Sequence, residues 1–188
     1  MDRLIIVGAG GFGKVVLEHT IKNYDCVFVD DGIDIGTNIY GCAVIGRTAD
    51  LKGLYNSYKN LIVAIGNNKV RENIYRIAAE IGYKFPNIIC DSAYISPFCK
   101  IGVGCIILNH AVVQNNAAIG NGFILNPGVE IHHESVVENN VLIYTNSVIR
   151  TGAHIGSRAW IGSTLTIGNG VNIPADEIVS DGKTILLN

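Results

Sequence analysis

The stretch IGVGCIILNHAVVQNNAAIGNGFILNPGVEIHHESVVENNVLIYTNSVIRTGAHIG, residues 101–156, decides the fold. Its aliphatic residues recur at every sixth place: Ile101, Ile107, Val113, Ile119, Leu125, Ile131, Val137, Ile143, Ile149 and Ile155. The register extends backward to Ile95 and Ile89, and forward through Ile161, Ile167, Ile173 and Val179 to Ile185, without an insertion. The fifth place of each hexad is mostly small or apolar from Ala93 to Val171. Places three and four favour Gly, Asn, Asp and Ser, which tolerate turn geometry. A helix cannot hold one side chain in register at this period, whereas short strands separated by corners can. Hexapeptide repetition is a signature of a parallel β-helix, so a solenoid is expected from residue 86 onward.

The preceding residues carry a different pattern. Residues 3–7, Arg-Leu-Ile-Ile-Val, read as a buried strand running into Gly8-Ala9-Gly10-Gly11-Phe12-Gly13. Lys14 to Lys22 has helical spacing, with Val15, Val16 and Ile21 as expected core positions. A strand at Cys26–Asp30 ends in Asp30-Asp31, another at Leu61–Ile65 runs into Gly66-Asn67-Asn68, and a helix covers Lys69–Ile81. Alternating strands and helices imply a parallel sheet with ligands at the carboxyl ends of its strands. The expected domains are therefore residues 1–85 and 86–188. Gly8, Gly10 and Gly13 match G-x-G-x-x-G between a strand and a helix, with Asp30 further on. Such a loop lets backbone approach a phosphate at a helix N-terminus, which points to a nucleotide-like ligand. The same glycines would also serve a tight strand-to-helix turn with no ligand.

Composition limits the function classes. Hydrophobic residues make up 48% of the chain and charged ones 16%, enough for a packed core and against disorder. A net charge of −2 supplies no basic field, so nucleic acid is not an expected partner. The opening residues MDRLIIVGAGGFG pass directly from a short apolar run into glycines; they read as neither signal peptide nor membrane span. Cysteines 26, 42, 90, 99 and 105 form no C-x-x-C pair, and Cys99 and Cys105 hold equivalent repeat positions that suit small buried side chains. A reduced, cytoplasmic setting is expected.

Four stretches together give the chain a family resemblance: Gly8-Ala9-Gly10-Gly11-Phe12-Gly13-Lys14, Val29-Asp30-Asp31, Ala64-Ile65-Gly66-Asn67-Asn68, and Ile124-Leu125-Asn126 with Ile131-His132-His133-Glu134-Ser135-Val136. The chain resembles the hexapeptide-repeat (left-handed β-helix) sugar acetyltransferases of the bacillosamine/sialic-acid nucleotide-sugar acetyltransferase family. The resemblance implies an α/β Rossmann-like N-terminal domain followed by a C-terminal left-handed parallel β-helix, three hexads to a coil. It implies a homotrimer of side-by-side prisms with active sites between subunits. Acetyl-CoA would be the donor and a nucleotide-sugar the acceptor. By the same resemblance Gly10, Gly11, Phe12, Asp30, Asp31 and Gly66 would line the nucleotide-sugar pocket, and Asn126 would lie by the reaction centre. Thr151 stands where the family has a glycine whose backbone approaches acetyl-CoA, and Gly162-Ser163 matches a further backbone contact with that donor. Leu142 stands where many members carry a second histidine.

Acetyl transfer from a thioester needs a base for the incoming amine or hydroxyl and stabilisation of a tetrahedral oxyanion. Histidine suits the first task because it titrates near neutrality. Of histidines 19, 110, 132, 133 and 154, the resemblance selects His133 as general base, with Glu134 orienting its ring. Residues 132–134 could also be an ordinary solvated corner. With three hexads per coil, His133 would stack between Asn115 and Thr151. No two histidines are spaced to stack, so a three-histidine zinc site is not expected. Leu142 and Thr151 motivate a second reading, a catalytically weakened trimer that binds nucleotide-sugars as a scaffold.

Overall fold

A computed structural model describes residues 1–187. It divides into two compact units, one ending at Ile88 and the other beginning at Ile89.

The first unit runs β1 (Asp2–Val7), α1 (Gly11–Thr20), β2 (Tyr24–Val29), β3 (Asn38–Ile39), β4 (Cys42–Gly46), a 3-10 turn (Thr48–Asp50), α2 (Leu51–Leu54), β5 (Asn60–Val63) and α3 (Asn68–Ile81). The sheet order is β3-β4-β2-β1-β5, parallel throughout except for the β3–β4 pair. Leu4–Val7 and Leu61–Val63 are continuous apolar runs because central parallel strands are buried on both faces. Helix α3 begins where the Asn67 side chain accepts the Val70 amide (3.1 Å), and it ends at Gly82, whose φ of 107° fits the left-handed C-cap. Two features depart from the expected elements. Ile21 is 44% exposed and not in the core, because it is the C-cap residue of α1, beyond the last turn. β3, β4 and α2 occupy a segment whose apolar residues show neither period clearly.

The second unit is a left-handed parallel β-helix of three flat faces. The first face stacks Tyr94–Ile95, Val112–Val113, Glu130–Ile131, Val148–Ile149, Thr166–Ile167 and Thr184–Ile185. The second runs from Lys100–Ile101 to Asn172–Ile173, and the third from Ile88–Ile89 to Ile178–Val179. Each strand pairs with the one a coil later, so Val113 meets Ile131 and Ile131 meets Ile149, a step of 18 residues. The second residue of each strand points inward, and from Ile107 to Val179 these residues are buried. Each fully buried aliphatic side chain is worth roughly 1.5–3 kcal/mol, so the repeat is also the principal stabilising element. The end coils are looser: Ile89 is 41% exposed, and Ile95, Ile101 and Ile185 are half-buried, as terminal repeats with one neighbour should be.

Corners are made by a left-handed residue at every sixth position from Gly104 to Gly182. Glycine and asparagine take many of these sites, and His110, Glu134 (φ 62°), Arg158, Thr164 and Asp176 take others. Buried hydroxyls at the fifth hexad place are satisfied across the coil. Ser135 Oγ donates to the Arg150 carbonyl (3.0 Å), and Ser147 Oγ donates to the Gly162 carbonyl (2.7 Å) while accepting the Leu165 amide. The five thiols are free, and burial pushes Cys90 and Cys105 up to about 11, which leaves them un-ionised and unreactive.

Candidate active site

One edge of the prism joins the first face to the second. There the corner His132–Ser135 follows Ile131, directly above Gln114–Ala117 and below Arg150–Ala153. Hydrogen bonds between coils fix its backbone: the His133 amide donates to Gln114 Oε1 (3.1 Å), the Glu134 amide to the Asn115 carbonyl (3.4 Å), and the Gly152 amide to the His133 carbonyl (3.2 Å). The His133 ring is then contacted on both nitrogens. Its Nδ1 is 3.9 Å from Glu134 Oε2, and its Nε2 is hydrogen-bonded to Thr151 Oγ1 at 3.2 Å. The ring is half-exposed, so a substrate can approach it. A carboxylate by one nitrogen and a hydroxyl on the other are the surroundings of an oriented, solvent-accessible proton acceptor. His132 points elsewhere, 3.4 Å from Glu130 Oε2.

In the first unit, the carboxyl ends of β1, β2 and β5 open on a cavity of about 390 Å³. Gly10, Gly11, Phe12, Asp30 and Asp31 line it, together with Thr48 and Ile65, the residue before Gly66. Gly8 has φ 101°, and a Cβ at Gly13 would collide with the Gly8 carbonyl oxygen, so these two glycines make the turn. Gly10 and Gly11 meet no such obstacle, and their lack of side chains opens the cavity floor at the start of α1. Asp30 shapes the loop: its Oδ2 accepts the Ala9 amide (2.8 Å) and its Oδ1 the amides of Gly32 and Ile33. Asp31 binds the amide and hydroxyl of Thr48 and, through its carbonyl, Arg47.

The expected site residues thus form three groups. His133, Glu134 and Thr151 share one edge of the solenoid. Asn126 and Gly162-Ser163 lie on a different edge, the one between the third and first faces. There the Asn126 amide donates to the Ile143 carbonyl (3.0 Å), and the Ser163 amide donates to Asp181 Oδ1 (2.7 Å). The glycine-loop residues form the third group. Leu142, on the third face, is 3% exposed and in register with Ile124 and Trp160, an apolar setting unsuited to an imidazole.

Sequence reasoning missed three contributors. Gln114 could have been found by counting back one coil plus one residue from His133. Thr48 carried no signal. Arg71 is fully buried; its Nη1 donates to the Ile65 carbonyl (2.8 Å) and its Nη2 to Asn68 Oδ1 (2.7 Å), pinning the loop after β5. Burial lowers its pKa to about 10, so the guanidinium remains charged. Its spacing with Ile74 and Ala78 on the buried side of α3 was the available clue.

Residues 3–78 match the family model described as the PglD N-terminal domain. Perosamine N-acetyltransferase from Caulobacter crescentus, solved as a histidine-to-asparagine mutant with CoA and GDP-perosamine, superposes with a TM-score of 0.91 at 27% identity, over 98% of this chain and 89% of that one. The acetyltransferase domain of PglB from Neisseria gonorrhoeae, solved with acetyl coenzyme A, is 32% identical with a TM-score of 0.80, over 100% of this chain and 98% of that one. WeeI from Acinetobacter baumannii is 25% identical with a TM-score of 0.70, over 100% and 98% of the two chains. This chain belongs to the hexapeptide-repeat family of acetyl-CoA-dependent sugar acetyltransferases, of the bacillosamine type.

Proposed function

We propose that the chain moves the acetyl group of acetyl-CoA to an amine or hydroxyl of a nucleotide-linked sugar in bacterial glycan or polysaccharide biosynthesis, with His133 as general base. The arrangement of Glu134 Oε2, the His133 ring and Thr151 Oγ1 carries this reading. His133 Nε2 takes a proton from the acceptor as its nitrogen or oxygen attacks the thioester carbonyl. The tetrahedral intermediate collapses, and the imidazolium returns the proton to the departing CoA sulfur. Glu134 stabilises the imidazolium between these steps. The cavity around Gly10, Gly11, Phe12, Asp30 and Asp31, with Gly66 beside it, receives the nucleotide portion of the acceptor.

Assembly as a homotrimer supports the same chemistry. His133, Glu134 and Thr151 lie on one prism edge and Asn126, Gly162 and Ser163 on another, so side-by-side copies would complete a site from two subunits. Acetyl-CoA reaching the Ser163 amide must replace the carboxylate of Asp181 there. The working compartment is cytoplasmic, in keeping with five unpaired thiols. Among the described residues no helix is long and apolar enough to cross a membrane.

The test is thiol release from acetyl-CoA in the presence of UDP- and GDP-linked amino sugars and their hydroxyl counterparts. Acceptor-dependent release by the wild-type chain is expected. Nucleotide-sugars and acetyl-CoA that bind and raise the melting temperature without any turnover would instead favour a binding scaffold.

A further inference from the structure

The Thr151 side chain reaches the ring of His133 from the next coil of the solenoid. The Oγ1 lies 3.2 Å from Nε2 of His133, one coil earlier on the same edge. Both backbones are tied to the stack: the Gly152 amide donates to the His133 carbonyl, and the Gly170 amide donates to the Thr151 carbonyl. The hydroxyl is therefore held in place by the solenoid register.

We propose that Thr151 is a positioning residue for acetyl transfer: its hydroxyl donates to Nε2 of His133 and holds the imidazole in the tautomer that accepts the acceptor's proton. The inference rests on His133 being the base. Glu134 presents only an acceptor to Nδ1, at 3.9 Å, and so favours a proton on that nitrogen. The remaining lone pair on Nε2 then points along the prism edge and receives the Thr151 hydroxyl hydrogen. When the acceptor binds, its N–H or O–H replaces the threonine hydroxyl at the same lone pair. The ring needs neither rotation nor tautomer exchange, so chemistry can start from the bound state. Thr151 itself forms no bond to the acyl group and carries no proton between substrates.

Two variants and two measurements test this. Thr151→Val keeps the shape and β-branching but removes the hydroxyl; Thr151→Ser keeps the hydroxyl. Thr151→Val should lower kcat/KM for the acceptor by ~10-fold or more, because the free ring then carries its proton mainly on Nε2 and only a fraction of molecules can accept from the substrate, with KM for acetyl-CoA within about twofold. Thr151→Ser should stay within about threefold of wild type. Nitrogen-15 spectra of histidine-labelled protein, with the His133 signal assigned by its loss in His133→Ala, should show the proton on Nδ1 in wild type and Thr151→Ser, and a shift toward Nε2 in Thr151→Val. Unchanged kcat/KM for the acceptor in Thr151→Val, a raised KM for acetyl-CoA alone, or a wild-type proton on Nε2 would each overturn the proposal. Failure of wild type to acetylate any acceptor would count against the proposed function only; the spectra need no substrate and still decide the role of Thr151.

Discussion

The two units hold their candidate site residues in place by opposite means. In the solenoid, each site residue is fixed by neighbours one coil away: Gln114 and Asn115 below His133, Thr151 and Gly152 above it. In the α/β unit, the glycine loop is fixed by side chains from distant parts of the sequence: Asp30 on the Ala9 amide, Thr48 on Asp31, and Arg71 on the Ile65 carbonyl. The first arrangement depends on an unbroken period, the second on a few individual bonds. A repeat distributes its stability evenly but has no tolerance for a slip, whereas a looped sheet tolerates length changes and is vulnerable at single side chains.

The largest effect should come from breaking the period. Inserting one residue between Glu138 and Asn139 would shift the following aliphatic positions relative to the coil below, turning core residues outward. Loss of the cooperative melting of the solenoid, measured by circular dichroism, is expected. The same insertion between Lys22 and Asn23, in an exposed turn of the α/β unit, should change stability by less than about 1 kcal/mol. Equal damage from both insertions would erase the distinction.

Asp30→Ala probes the other side of the comparison. It strands the amides of Ala9, Gly32 and Ile33, and about 1–3 kcal/mol of stability should be lost in denaturant titration. Nucleotide-dependent thermal stabilisation should fall with it, while the solenoid is untouched.

Glu134→Asn should act in opposite directions on stability and rate. Asparagine takes the left-handed corner with less strain than glutamate, so stability should rise by roughly 0.5–1 kcal/mol. Loss of the longer carboxylate beside Nδ1 should lower turnover by about tenfold or more. Stability and turnover rising together would remove the role assigned to Glu134.

The smallest effect is a pH dependence. The Ser157 hydroxyl and amide, followed by His154, hold the Glu138 carboxyl below its usual range across one coil step. A depressed carboxyl stabilises the folded state above its unfolded pKa, and that contribution disappears as pH falls through the lower folded value. Because Glu138 is well exposed, solvent screening keeps the term under about 1 kcal/mol. Acid melting curves of wild type and Glu138→Gln should therefore be slightly separated above the ordinary glutamate value of about 4.3 and converge only as pH falls well below it.

Legibility from sequence follows the same division. In the solenoid, environment is nearly a function of position modulo six and partner a function of position plus 18, so Ile131 could be placed in the core and Thr151 above His133 before any coordinates were known. The Glu138–His154–Ser157 cluster escaped this counting, because His154 and Ser157 are 16 and 19 residues from Glu138, to either side of the 18-residue step. In the α/β unit the glycine loop was legible because its chemistry is local. Thr48 was not, since the strand–turn–helix segment from Asn38 to Leu54 has no period, and its contact with Asp31 exists only after folding. Ile21 was misplaced because helical spacing alone does not say where a helix stops.

The most direct test of the whole account is acetyl transfer by His133→Ala. Its side chain is half-exposed and its backbone bonds survive truncation, so the melting temperature should be unchanged, while kcat with acetyl-CoA and a nucleotide-linked amino sugar should fall by about 10²–10⁴-fold. A folded variant that turns over at the wild-type rate would contradict the claim that this prism edge carries the catalytic base.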